Sequence, residues 1–185
     1  ARRNEAVIEM VSVVGDTLVE GSVVLHVHGG QGRLSEKDLM RAIDLGIERT
    51  FQQDPKYPIR LLVDIAIKAL SPAINDPTTA VQAVDQIEDL MRRLGRRELD
   101  AGHARDANGA LRLIVPMPTW DDYLTLAFDE IRQYGGTSVQ VMRRLRAALV
   151  GLTESVPAPE RADAVRRYLK HLDLVIERSP LDDQD

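Results

Sequence analysis

Leu70-Ser71-Pro72-Ala73-Ile74-Asn75-Asp76-Pro77-Thr78-Thr79-Ala80 is the stretch on which the fold turns. It joins an apolar run, Ile59 to Leu70, to a strongly amphipathic one, Pro77 to Leu94. Asp76-Pro77 reads as a helix start. The Asp carboxylate accepts from the free N–H groups of the first turn, and Pro at the first helical position gives up an N–H that had no partner. Ser71-Pro72 closes the helix before it, because a residue preceding proline is pushed out of the α region. The result is an ordered joint between two helices, crowded with oxygen-bearing side chains. Such a corner is either a structural clasp or a site.

Upstream, the Ile59–Leu70 run is apolar nearly all round, which predicts a buried central helix, the most buried of the chain. Its polar side chains Arg60, Asp64 and Lys68 are spaced by four, with Ser71 three further on, so they form one stripe that runs into the corner. Arg60, Asp64, Lys68, Ser71, Asn75, Asp76 and Thr79 are therefore the candidate ligand-binding set. Two structural readings stand beside it. One is a mutually satisfied network that fixes the corner. The other is a solvated ion-pair ladder worth about 0.3–0.5 kcal/mol per pair. An anion at the start of the Pro77 helix is disfavoured, since the Asp76 carboxylate already occupies that positive end.

Further out, the chain predicts an α+β fold, predominantly α: a bundle of about six helices with a small N-terminal β element and a β-hairpin. Residues 1–30 form the β element, read as cut short at its N-terminus. Residues 31–180 form the helical domain, with the hairpin inserted near 97–115, and 181–185 form an acidic tail. In 6–28 the residues alternate as strands do, with Val23, Leu25 and Val27 on one face and Val24, His26 and His28 on the other. Gly29-Gly30-Gln31-Gly32 reads as a linker. Ser35 with Asp38 reads as a capping box, opening a helix that carries Leu39, Ile43, Gly46, Ile47 and Thr50. Asp54-Pro55 repeats the Asp-Pro start, with Pro58 early enough for a first turn. Ala80, Val84, Ile87, Met91 and Leu94 line the next helix, which Gly95 ends. Asp106-Ala107-Asn108-Gly109 turns between two short strands, the second at Leu111–Val115. Three more helices follow, opening at Thr119, at Ser138 and after Pro157.

Composition narrows the function classes. At 185 residues, 44% hydrophobic and 29% charged, the chain is long enough for a real core and ordinary for a globular protein. A net charge of −5 argues against a nucleic-acid module. Without cysteine there is no disulfide framework, thiolate zinc site or cysteine nucleophile. No apolar run approaches the roughly 18 residues a membrane span needs. The chain opens at Ala1 rather than Met, which reads as a fragment.

The remaining chemistry-bearing residues favour plain readings. His26 and His28 share a strand face, but zinc needs a third protein ligand, from His103, His171 or a carboxylate that the sequence leaves unplaced. No metal or other cofactor is expected. Ser71 and Ser138 lack a nucleophile elbow. Asp121-Asp122 is explained by capping. Arg143-Arg144-Arg146 and Arg166-Arg167-Lys170 sit on the polar sides of amphipathic helices.

Two resemblances enter here. Gly15-Asp16-x-Leu18-Val19-x-Gly21 resembles half of a biotinyl/lipoyl-type barrel, although no Lys that a carrier domain would modify precedes Lys37. More extensively, Arg49-Thr50-x-x-Gln53-Asp54-Pro55, Leu62-Val63-Asp64-Ile65-Ala66, Ala69-Leu70-Ser71-Pro72 and Asn75-Asp76-Pro77-x-Thr79-Ala80 resemble a family of bacterial predicted membrane proteins of unknown function. Trp120-Asp121-x-Tyr123 and Glu130-Ile131-Arg132-x-Tyr134-Gly135 extend the likeness, which runs from about Gly15 to Leu152. Ala73 stands where that family usually has Gly. The resemblance implies a soluble half that follows transmembrane helices, in a cell-membrane protein with this part on the cytoplasmic side. Its implied partner is its own membrane-embedded half, with a homo-oligomer left open and no nucleic acid. Two function classes stay open: a non-catalytic module for assembly or small-ligand sensing, and an enzyme with its site at the Asp64/Asn75/Asp76 corner.

Overall fold

The computed structural model describes residues 5–30, 34–52 and 54–178. It divides into two compact units, residues 1–54 with 98–119 and residues 55–97 with 120–185. Six helices and one four-stranded sheet are present among the described residues, so the fold is α+β and predominantly helical.

The first unit holds β1 (Val7–Met10), β2 (Leu25–His28), α1 (Glu36–Arg41), β3 (His103–Arg105) and β4 (Leu111–Ile114). The N-terminal strands and the hairpin, far apart in the chain, form one sheet in the order β2-β1-β4-β3. β1 runs antiparallel to β2 and parallel to β4. At the base of the hairpin, Val115 N–H donates to the Gly102 carbonyl at 2.7 Å. A Cβ on Gly102 would lie 2.1 Å from the Val115 carbonyl oxygen, so only glycine fits there.

The helix expected from Ser35 through Thr50 is shorter than its spacing suggests. α1 has six residues, buries none of them, and Ser35 makes no side-chain cap bond. Ile47 is fully exposed, so the apolar face that would have extended the helix meets nothing. A short helix without tertiary cover is marginal in water, and the chain stops at one and a half turns. Of the Gly29–Gly32 stretch only Gly29 and Gly30 fall within the described residues; Gln53 and the 181–185 tail fall outside them.

The second unit is a bundle of α2 (Tyr57–Ala69), α3 (Pro77–Leu94), α4 (Trp120–Tyr134), α5 (Val139–Ser155) and α6 (Pro159–Glu177). α3 packs on α2 and α5, α2 on α4, and α6 on α5. Ile87, Met91, Leu124, Ile131, Leu145 and Leu152 are among its fully enclosed side chains.

α2 is not the most buried helix, contrary to its apolar composition. It buries only Ile59, Val63, Ala66 and Ala69, against six residues each in α3, α4 and α5. Those four recur at helical spacing, so one stripe is covered by α3 and α4 while Ile65, on another side, remains 49% exposed. Hydrophobicity all round a helix sets what it tolerates. The number of neighbours sets what it buries.

Candidate functional site

The seven candidate residues separate into two clusters near opposite ends of α2. Eleven residues at 1.5 Å rise put Arg60 and Ser71 roughly 16 Å apart along the helix axis.

At the N-terminal end, Arg60 is the hub. Its Nε donates to Asp64 Oδ1 at 2.8 Å, one turn on, and its Nη2 donates to Glu130 Oε2 at 3.0 Å on α4. Nη1 also donates to Glu130 Oε1. Arg60 is mostly covered, while Asp64 is half exposed. The Glu130 and Asp64 carboxylates hold the guanidinium more firmly protonated than usual, against the opposing effect of burial. Conversely, the hydrogen bonds from Arg60 hold the Glu130 carboxyl below the usual carboxylate range. This is a forked bridge between two helices. Lys68, further along α2, is exposed and makes no ion pair among the described residues.

At the C-terminal end the corner is closed largely by backbone. Asn75 N–H donates to the Ser71 carbonyl at 2.8 Å, and Asp76 N–H reaches back to the Ala69 carbonyl at 2.8 Å. Both require Asn75 at φ +47, the left-handed region that asparagine tolerates better than most residues. Asn75 thus bridges to the preceding helix through its backbone, held in this left-handed conformation, rather than through its side chain. Ala73 carries no such demand, so a residue with a Cβ sits there without strain. Asp76 then caps α3: Thr79 N–H donates to Oδ1 at 3.1 Å and Thr79 Oγ1 to Oδ2 at 2.5 Å. Those two bonds, the hydroxyl's first, depress the Asp76 carboxyl from its ordinary value.

Neither of two cavities in the helical unit is lined by these residues. One, of about 10 Å³, lies among Phe128, Leu145, Tyr168 and His171. The other, a groove of about 190 Å³, lies between Pro58, Ile59, Leu90 and Arg97.

Other sequence candidates settle into structural contacts. His28 Nε2 meets Glu9 Oε2 at 2.6 Å across β1 and β2, and its ring centroid is 6.1 Å from that of His26. His103 Nδ1 lies 3.4 Å from Asp100, and His171 belongs to the helical unit. Among the described residues no three His, Asp or Glu side chains come together in a way that could hold a metal ion. Ser138 caps α5 by accepting from Val141 N–H at 3.4 Å. Asp121 faces Arg167 at 3.7 Å.

Some polar residues carry more than the sequence suggested. Arg144, expected on a solvated face, pairs with Asp85 Oδ1 at 2.5 Å and with Glu88, a nearly buried carboxylate on α3 that also accepts from Arg92 Nε at 2.9 Å. Burial alone would loosen the Arg144 proton, but the Glu88 and Asp85 bonds tighten it. Gly151 on α5 faces this cluster, where a Cβ would come within 2.7 Å of Glu88 Oε1. Asp54, expected to cap a helix, does not: the cap position of α2 is Lys56. The Asp54 carboxylate is instead buried, 2.7 Å from Arg49 Nε, beneath Gly15 at φ +93. A Cβ on Gly15 would sit 2.3 Å from Asp54 Oδ2. The clue to Glu130 and Asp54 was their place within the quoted motifs. Periodicity alone marks both as surface.

A family model described as predicted membrane protein (DUF2254) matches residues 1–150. Uncharacterized proteins of Mycobacterium bovis and Mycobacterium tuberculosis are each 31% identical over 182 residues, covering 95% of this chain and 35% of the relative. The chain thus spans about a third of the length of the curated relatives it matches. No solved structure matches it significantly. No described helix is long and apolar enough to cross a membrane.

Proposed function

Because the chain belongs to the DUF2254 family of predicted membrane proteins, we propose that it is a non-catalytic, extramembrane module that serves assembly of a longer membrane protein. The observation that carries this reading is the self-satisfied corner. Asp76 is committed to capping α3 and Arg60 to joining α2 with α4. A binding or catalytic site keeps polar groups poised for something outside itself, and removing them often stabilises the protein. Here the same groups hold helices together. Cytoplasmic placement and pairing with the membrane-embedded part of the polypeptide belong to the same proposal.

A thermal-shift panel of divalent metals, nucleotides and common metabolites tests it. A ligand at 100 times its dissociation constant adds about 2.7 kcal/mol, a readily seen shift. We expect none from the panel. A reproducible shift that disappears in Asp64→Ala or Asn75→Ala would replace this reading with a sensor or an enzyme.

A further inference from the structure

The groove of about 190 Å³ in the helical unit runs between the start of α2 and the end of α3. Leu90 and Leu94, four apart and so on one face of α3, form one apolar wall, and Pro55, Pro58 and Ile59 form the other. Ile59 is buried, while Pro58, Leu90 and Leu94 are half-buried. Arg93 and Arg97 complete the lining. Among the described residues no carboxylate, hydroxyl or amide side chain lines it.

The two arginines are differently committed. Arg93 gives its Nε to Asp89 Oδ2 at 2.8 Å. Arg97 has a fixed backbone: its N–H donates to the Leu94 carbonyl at 2.9 Å, and its own carbonyl accepts from Arg161 Nη1 at 2.7 Å. Its guanidinium enters no ion pair among the described residues. Residues 92–97 hold four arginines and no acid, in a chain whose net charge is −5. The groove therefore lies in a locally cationic stretch of an acidic protein.

Apolar walls, two cations and nothing else polar describe an occupant with one anionic head and a hydrocarbon body. The volume sets its width. Sites for drug-sized ligands run to roughly 300–1,000 Å³, so this groove suits a single chain rather than a two-chain lipid or a ring system. A guanidinium matches a carboxylate with two parallel hydrogen bonds. We infer that the groove takes a free fatty acid, with its carboxylate on Arg97 beside Arg93 and its chain along Pro58, Ile59, Leu90 and Leu94. The inference goes beyond the assembly reading and does not depend on it, since none of the corner residues lines the groove.

Equilibrium dialysis of radiolabelled decanoate against this chain, below the micellar concentration, tests the inference. Binding should saturate at one decanoate per chain. Arg97→Glu should weaken it at least about tenfold, the scale of one lost hydrogen-bonded charge pair. Arg143→Glu makes the same charge change at an exposed residue of α5 that does not line the groove, and it should leave binding within about twofold. On the parent chain, unlabelled decanoate should displace the label at least about tenfold better than decanol, which lacks the charge. No saturable binding, equal losses in the two arginine variants, or displacement by decanol as good as by decanoate would each overturn the inference. Displacement by decyl phosphate that is better than by decanoate would assign the groove to a phosphate head and overturn it as well.

Discussion

Arg60 shows why a single residue's partners decide its worth. From sequence, Asp64 is its natural partner, one turn away on the same helix. Structure adds Glu130 from α4, seventy residues on, and the added bond is the one that spans helices. Asp64→Ala should therefore cost only about 0.5 kcal/mol, as exposed i,i+4 pairs do, because Arg60 keeps a carboxylate. Glu130→Ala should cost more, about 1 kcal/mol, since it unties α2 from α4. Urea denaturation of the two variants checks the order, and a larger loss from Asp64→Ala would contradict it. The same pair sets an acid dependence. Arg60 depresses Glu130, so its contribution is complete above the ordinary glutamate value near 4.3 and disappears as pH falls through the lower folded value. The stability gap between the parent and Glu130→Gln should accordingly be full at neutral pH and narrow as pH falls below the ordinary glutamate value of about 4.3. A gap of constant size would mean that the charge is not what Glu130 contributes. Glu130 could not be paired with Arg60 from the sequence, because nothing local encodes a contact across so long a separation.

Elements were legible where local signals and tertiary cover agree. Pro77–Leu94 has its cap, its first-position proline, its apolar stripe and its terminal glycine, and it forms over the residues expected. Ser35 and Ser138 make a controlled contrast. Both look like caps in the sequence, yet only Ser138 accepts a bond from its helix. Its helix buries six side chains in the bundle, whereas the one after Ser35 buries none. Ser138→Ala should lower stability by about 0.5–1 kcal/mol, and Ser35→Ala should leave it unchanged within error. Thermal melts of the two variants measure this directly; a comparable loss from Ser35→Ala would show that α1 is held better than its exposure indicates. The sheet was legible only in parts. Each strand announces itself by alternation, but the parallel β1–β4 pairing joins segments a hundred residues apart and has no sequence signature.

At the scale of the molecule, core and surface divide between the two units. Among the described residues, the helical unit holds nearly all the buried apolar side chains, whereas the strands of the sheet unit are half-buried to exposed. Local opening should follow that division, with amides of α3 and α5 exchanging slowest and those of β2 fastest. What the sequence leaves undecided, whether the Ser71–Thr79 corner is a clasp or a site, becomes a question about global stability. The corner links α2 to α3 through the Asp76 cap and the Asn75 backbone turn, and α3 in turn packs on α5. The most direct measurement is the urea midpoint of Asp76→Ala against the parent, with the slope of the transition as a check on two-state behaviour. A structural joint predicts a lower midpoint at an unchanged slope. A midpoint equal to or above that of the parent would contradict it, and would mark the corner as a place where polar groups are kept for a ligand.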